Sequence, residues 1–328
     1  MLFQDINLDI FLTIVDWLSF EDIITLLKVN KMLNFYCNSI NDLEHIKMIS
    51  KYKIDYTDPC NYIYLSRKKC ITDYFSRGKP LCKKICDLYM ADYHLSKIIV
   101  TFMGITSFPV YPNMTEFHGR NNQITSFPIQ PKMTHFYGSG NKLRMFPTQP
   151  KMVCFHGNNN QLTSFTVQPS MTHFYGNYNQ LTSFPVQANM TIFSARYNQL
   201  ISFPVQPEMV EFNGNHNQLT SFQVQPKMKY FEGVGNKLTS FKSQPNMFYF
   251  EGDDNNLSLF EIQPVMTHFS GSGNMLTSFP SQPKMVEFNG NDNQMISIEI
   301  QPEMTHFYGE GNMLTTLWNH PKLEEFDF

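Results

Sequence analysis

The sequence lacks the charge and the long hydrophobic runs that mark several large classes of protein. Its 25 basic and 28 acidic residues give a net charge of -3, so it has no overall positive field of the kind that attracts nucleic acid or anionic membranes. No apolar run is long enough to span a membrane, and the N-terminal stretch MLFQDINLDIF has no basic region before its apolar part. We therefore expect a cytoplasmic protein with neither nucleic-acid nor membrane partners.

Cysteine is scarce as well. Four of the six cysteines fall in one Lys-rich segment, at Cys60, Cys70, Cys82 and Cys86. Their spacing fits no disulfide framework, which favours free thiols in a reducing compartment. Cys82 and Cys86 lie one helical turn apart, a spacing that could allow both to bind one zinc ion, but the other spacings match no common zinc module. We predict no cofactor.

What the sequence has instead is a repeat of constant length. Methionine recurs every 19 residues without a slip, and Leu95 and Leu323 occupy the same phase at the two ends. The repeat reads M-x-x-F-x-G-x-x-N-x-L-x-x-F-P-x-Q-P-x, with some variation at most positions. Its methionines are Met114, Met133, Met152, Met171, Met190, Met209, Met228, Met247, Met266, Met285 and Met304.

Each part of the repeat predicts a local structure. Alternation of Phe and Gly with variable polar residues just after the methionine is typical of a short strand, one per repeat, in a parallel ladder. The segment F-P-x-Q-P cannot form a helix, because proline lacks an N–H and biases the preceding residue to extended angles. The outer arc is therefore predicted to be extended. The asparagine eight residues after each methionine, from Asn122 to Asn312, is predicted to form a buried ladder that satisfies backbone groups at the turn.

The apolar positions predict an aromatic core. One phenylalanine stack is expected from Phe117 to Phe326, and a second from Phe108 to Phe279, continued by Ile298 and Leu317. We interpret the glycine five residues after each methionine as a small residue that leaves space for these large rings and so keeps the interior at normal packing density. The methionines are interpreted as core filler.

The repeat resembles the leucine-rich repeat, L-x-x-L-x-L-x-x-N-x-L, with Met, Phe and Gly in three of the leucine positions. The resemblance implies a mainly β solenoid, a horseshoe with parallel strands on its concave face and an extended convex arc. We assign residues 95–328 to this solenoid and residues 41–94 to a helical linker that caps it.

The N-terminal segment INLDIFLTIVDWLSFEDIITLLKVNKML resembles an F-box. Helices are expected over residues 8–17, capped by Asn7, and roughly 20–33, with residues 1–40 forming a small α-helical domain. The apolar residues of the first helix extend too far around it for one buried face. The resemblance implies that this domain docks on the adaptor of a cullin-RING ubiquitin ligase through Ile6, Asp9, Ile10, Phe11, Ile14, Val15 and Leu18.

The combination of an F-box with such short repeats resembles F-box and leucine-rich-repeat proteins of giant DNA viruses. For a viral protein of this kind, the expected location is the cytoplasm of the host cell. The implied function is a non-catalytic, substrate-recruiting ligase subunit that is monomeric outside its complex. An alternative is a protein-binding scaffold with no link to ubiquitin, in which the N-terminal helices only cap the solenoid. An enzyme with a catalytic cysteine domain after the repeats is disfavoured, since the predicted last strand reaches Phe328 and Cys154 has no activating neighbour in the motif.

The concave face is the expected site of target binding, because variable residues stand there on a rigid scaffold. The early repeats place His and Tyr on it and the later repeats place acids, which predicts a partner with a basic segment. The candidate partner-binding residues are His118, His135, Tyr137, His156, His173, Tyr175, Arg196, Glu211, Glu232, Glu251 and Glu287. Neighbouring parallel strands lie ~4.8 Å apart, so His135, Cys154, His156 and His173 could together hold zinc or copper. This hypothesis is less favoured, because His268 and His306 occupy the same column without close ligand neighbours.

Overall fold

The computed structural model describes residues 62–64, 96–101, 104–108, 110–299, 301–314 and 322–327. The helices predicted within residues 1–40 and the cap predicted over residues 81–95 lie outside these ranges. The chain divides into two units, residues 1–143 and 144–328, which are described separately. Among the described residues no helix has the length and hydrophobicity needed to cross a membrane.

The described residues of the first unit include four parallel strands. They are β1 (Tyr62–Tyr64), β2 (Lys97–Ile99), β3 (Glu116–His118) and β4 (His135–Tyr137). Each pairs with the next in chain order, and from β2 onward the partners are one repeat apart, as in Ile98, Phe117 and Phe136. The strand β1 falls in the segment predicted to be helical, residues 41–94, and it shows that the described part of this segment extends the sheet.

The second unit repeats the same arrangement with one three-residue strand per repeat. The strands are β5 (Cys154–His156), β6 (His173–Tyr175), β7 (Ile192–Ser194), β8 (Glu211–Asn213), β9 (Tyr230–Glu232), β11 (Tyr249–Glu251), β13 (His268–Ser270), β15 (Glu287–Asn289), β17 (His306–Tyr308) and β18 (Glu325–Asp327). All pair in parallel with their neighbours in register with the repeat. The predicted strand position is confirmed.

The arc that returns from each strand to the next is extended, as predicted. Over most of the described length it has no regular secondary structure. In the second unit it forms two small parallel sheets, one from β10 (Ser240–Phe241) and β12 (Leu259–Phe260), the other from β14 (Ser278–Phe279) and β16 (Ser297–Ile298). Each unit is thus a solenoid of strand, turn and extended arc.

The core is the predicted one. All eleven methionines of the repeat are fully buried. In the second unit the strand phenylalanines from Phe155 to Phe307 stack with ring centroids 5.1–5.5 Å apart. Arc phenylalanines pack edge-on or tilted against them, as Phe222 does on Phe212 at 4.7 Å. The stack does not keep its last ring buried, because Phe326 is 59% exposed.

The glycine that follows each strand has the predicted steric cause. Gly214 comes directly after β8, and a Cβ there would lie 2.4 Å from Cζ of Phe212, two residues earlier. Carbon atoms cannot approach so closely, so the phenylalanine ring would have to move to admit even a methyl group at this position. The repeat that begins at Met190 is an exception, since Ala195 occupies this place and is buried.

The asparagine ladder is confirmed in detail. Asn217 donates from Nδ2 to the carbonyls of Ala195 (2.9 Å) and Gly214 (3.0 Å), and its Oδ1 accepts from the backbone N–H of Leu200 (2.9 Å). Equivalent bonds join neighbouring repeats within each unit. The side chain therefore replaces backbone partners where the strand turns into the arc.

A second ladder, of glutamine, was not predicted. Gln206 is fully buried on the arc, and its backbone N–H donates to Oε1 of Gln225 at 2.8 Å. Its carbonyl accepts from the N–H of Met209 at 3.3 Å, which closes a turn with Pro207 in the position that proline favours. The signal in the sequence was the recurrence of glutamine before proline in almost every repeat of an otherwise variable arc.

Candidate functional site

The strand face consists of the side chains at the first and third residues of each three-residue strand. The middle residue points into the core, so the outer two point away from it. The backbone groups of neighbouring strands bond to each other. The face therefore offers side chains rather than backbone, and the repeat leaves these positions variable.

In the first unit the strand face carries a charged cluster. Oε1 of Glu116 lies 3.1 Å from Nζ of Lys97 and 2.6 Å from Nε2 of His118. Burial would raise the pKa of Glu116, but its hydrogen bonds with His118 and Lys97 outweigh this effect and hold the pKa below its usual value. Burial lowers the pKa of His118, so at neutral pH the neutral ring donates Nε2–H to the carboxylate.

Tyr137 completes this cluster. Its ring stacks on His118 with centroids 4.4 Å apart, and the guanidinium of Arg120 lies 5.9 Å from the ring centroid. His135 stacks on the other strand-face residue of its own strand, Tyr137, at 6.3 Å. The predicted residues His118, His135 and Tyr137 are thus together on the face of the first unit.

The early repeats of the second unit carry the other predicted His and Tyr residues of the face, His156, His173 and Tyr175. His156 stacks on Tyr175 with centroids 4.4 Å apart, and Nδ1 of His173 lies 2.6 Å from the hydroxyl of Thr172. Cys154 is buried, and burial raises the pKa of its thiol to about 11. A protonated thiol is a poor nucleophile and a poor metal ligand.

The metal hypothesis receives no support from this geometry. Within the part of the chain that the structure describes, no three His, Cys, Asp or Glu side chains converge as ligands. Instead, Nδ1 of His135 and Nδ1 of His173 contact threonine hydroxyls, and the ring of His156 stacks on that of Tyr175.

The next strands enclose a depression of about 310 Å³ on the face of the second unit. It lies over Ser194 and Asn213, the third residues of β7 and β8. The larger side chains of Tyr175 on one side and Glu232 on the other occupy the same column of the sheet. The depression thus arises because two successive strands carry small residues there, and its other lining side chains include Ile192, Glu211 and Tyr230.

Carboxylates border this depression. Burial raises the pKa of Glu232 above its usual value, with a further contribution from Glu251 on the next strand. Nδ2 of Asn213 donates a short hydrogen bond to Oε2 of Glu232 and fixes the carboxylate. On the same strand as Glu251, burial and that carboxylate raise the pKa of Tyr249 to about 12.

Further along, histidines interrupt the acidic series. Nε2 of His268 lies 3.8 Å from Glu287, and Nε2 of His306 lies 3.9 Å from Glu325. Each of these two acids thus has a histidine at the paired position of the preceding strand of the sheet.

An aromatic ridge beside the face was not predicted. It consists of Tyr178, Tyr197 and His216, whose rings stack at 4.6 and 4.4 Å. All three have left-handed backbone angles, with φ of 57°, 55° and 54°. Equivalent positions in the other described repeats are occupied by Gly, Asn or Asp, which adopt these angles more readily.

The structure thus places all of the predicted concave-face residues on, or directly beside, one side of the strands in their respective units. Arg196 is exposed next to the face, and its backbone N–H donates to Oδ1 of Asn177 at 2.7 Å. The predicted adaptor-binding residues, Ile6, Asp9, Ile10, Phe11, Ile14, Val15 and Leu18, lie outside the described residues.

Comparison with known proteins identifies the fold. No protein-family model matches the chain, and no curated protein matches it significantly in sequence. Among solved structures, YopM from Yersinia enterocolitica superposes with a TM-score of 0.61 at 18% identity, covering 87% of this chain and 67% of YopM. A leucine-rich-repeat protein of Leptospira interrogans gives a TM-score of 0.51 at 15% identity, covering 71% and 78%. The chain has the fold of a leucine-rich-repeat solenoid.

Proposed function

We propose that the chain recruits a target protein on its strand face and carries it to the adaptor of a cullin-RING ubiquitin ligase through residues 1–40. The observation that supports target binding is the contrast between the two sides of each strand. Met, Phe, Asn and Gln are almost invariant inside, whereas the face changes from repeat to repeat. A rigid scaffold with a variable face is the arrangement that protein recognition uses.

The ligase connection rests on the resemblance of residues 5–35 to an F-box. The leucine-rich-repeat proteins of similar structure support a protein-binding scaffold. They carry no information about binding to a ligase adaptor. The described residues supply no activated cysteine, because the only cysteine among them is Cys154, whose pKa is raised. We further propose that the chain holds proteins together without catalysing a reaction itself, in the cytoplasm and as a monomer outside its complex.

The test is affinity purification of the tagged full chain, with identification of the proteins that co-purify. We expect an adaptor, a cullin and a separate target protein. Changing Phe11 or Ile14 to Glu should remove adaptor and cullin while leaving the target and the far-ultraviolet circular dichroism unchanged. Charge reversal at Glu232 and Glu251 should remove the target and leave the adaptor.

Two outcomes would overturn parts of this proposal. Capture of a target without adaptor or cullin would leave a binding scaffold with no link to ubiquitin. Global unfolding by Phe11→Glu or Ile14→Glu would assign the N-terminal segment to capping the solenoid.

A further inference from the structure

The depression on the face of the second unit has the size and lining of a site for one side chain. Its volume of about 310 Å³ is at the lower limit of small-molecule pockets, which begin at ~300 Å³. It is open on the strand face, where a partner would approach. The lining combines an apolar surface with carboxylates, so its complement is a side chain with an apolar stem and a cationic end.

The apolar part of the lining can contact the aliphatic stem of such a side chain. Ile192 is the first residue of β7 and lies between His173 and Glu211 in the register of the sheet. It is the one aliphatic side chain in the lining, and the rings of Tyr175 and Tyr230 also contribute to it. Methylene groups would exchange water for these surfaces on entering.

The polar part suits a planar cation. Glu211 and Glu232 both line the depression, and the hydrogen bond from Asn213 holds Oε2 of Glu232 in place. Oε1 of Glu232 accepts no hydrogen bond within the described part of the chain. A guanidinium group can bond to a carboxylate through two N–H groups and can also stack on a tyrosine ring, whereas an ammonium group does neither as well.

The state of Glu232 in the free protein agrees with an unfilled site for a cation. Burial and Glu251 raise its pKa, and the basic residue that acts on it is Arg196, whose charge lowers the pKa. Arg196 is exposed rather than inserted in the lining. The carboxylate is therefore held where its charge is costly until a second cation arrives.

We propose that the depression lined by Ile192, Ser194, Asn213 and Tyr230 is the site for one arginine side chain of the target protein, held by Glu211 and Glu232. This inference rests on the proposed target-binding role of the strand face, and it identifies the chemical group that this part of the face accepts.

The test is a titration of the isotope-labelled full chain with acetyl-Gly-Arg-Gly-amide, followed by the backbone amide resonances of Ser194 and Asn213. We expect saturable shifts, at least tenfold weaker binding in Glu211→Gln/Glu232→Gln, and no more than twofold weakening in the matched control Glu310→Gln/Glu325→Gln, at two exposed residues. Because Glu211 is exposed, Glu211→Gln alone should keep its fold. Arg196→Gln should bind the peptide at least as tightly as the natural chain.

Three results would overturn the proposal. They are equal shifts with acetyl-Gly-Gln-Gly-amide or acetyl-Gly-Lys-Gly-amide, equal weakening by the two double variants, and loss of binding in Arg196→Gln alone. The peptide test is independent of the purification experiment. Failure of the peptide to bind while a target still co-purifies would refute the arginine site and leave the proposed function standing.

Discussion

Replacing Asn217 by alanine tests how much one position of the asparagine ladder stabilises the solenoid. The change removes the acceptor of the Leu200 N–H and one donor each from the carbonyls of Ala195 and Gly214. Both carbonyls keep another donor, from Asn198 and Asn236 respectively. The N–H of Leu200 keeps none among the described residues.

The cost follows from this difference. A buried N–H without a partner costs ~1–3 kcal/mol, and losing one of two donors to a carbonyl costs less, about 0.5 kcal/mol each. We expect Asn217→Ala to lower the free energy of unfolding by about 3 kcal/mol. Asn312 makes the same kinds of bond but is only partly buried, so water can replace them. Its replacement should cost about 1 kcal/mol.

The assay is chemical denaturation followed by circular dichroism, with the slope of the free energy against denaturant compared between variants. Gln218→Ala, at an exposed neighbour, is the control and should stay within about 0.5 kcal/mol. Equal losses at Asn217 and Asn312, or a loss at Asn217 no larger than that of the control, would refute the reasoning.

Three further variants test other parts of the structure in the same denaturation assay. Gly214→Ala should cost ~1–3 kcal/mol, because the ring of Phe212 must move; a neutral result would refute the size argument. Tyr197→Asn should change stability by less than about 1 kcal/mol, since relief of the left-handed backbone offsets ring stacking worth ~0.5–1.5 kcal/mol; a larger loss would make the aromatic ridge structural. Glu232→Gln should stabilise the chain at pH 7, because the raised pKa means that ionisation is unfavourable in the folded state. That gain should disappear as the pH falls to the ordinary glutamate value of 4.5, and a gain that is constant with pH would refute the assignment.

The repeated part of the fold could be predicted because it is set by short-range chemistry that recurs in every repeat. Strand position, the phenylalanine stacks and the asparagine ladder each follow from one residue type at one spacing. The glutamine ladder was missed because a buried glutamine between prolines has no strong local preference. Its role is visible only when the next repeat supplies Oε1 to its N–H.

The candidate site was less predictable, because it depends on the absence of large side chains at two positions of neighbouring strands. Sequence spacing placed Glu211 and Glu232 on the correct face, but the depression exists because Ser194 and Asn213 are small beside Tyr175. Nothing in the repeat pattern marks Ser194, since its position varies freely. The aromatic ridge was missed for a different reason, because left-handed tyrosine is rare and no sequence rule anticipates it.

Several departures from the repeat in the second unit fall close together. Ala195 replaces glycine directly after the strand β7, and the depression and two members of the aromatic ridge, Tyr197 and His216, involve that repeat and the next. The raised pKa of Glu232 beside the depression and the left-handed backbone angles of Tyr197 and His216 both work against the stability of the scaffold. Neighbouring repeats show that the scaffold is built without them, so packing alone does not account for their presence. We propose that these costs are offset by a partner bound at this patch, and this makes the repeats beginning at Met190, Met209 and Met228 the first place to look for it.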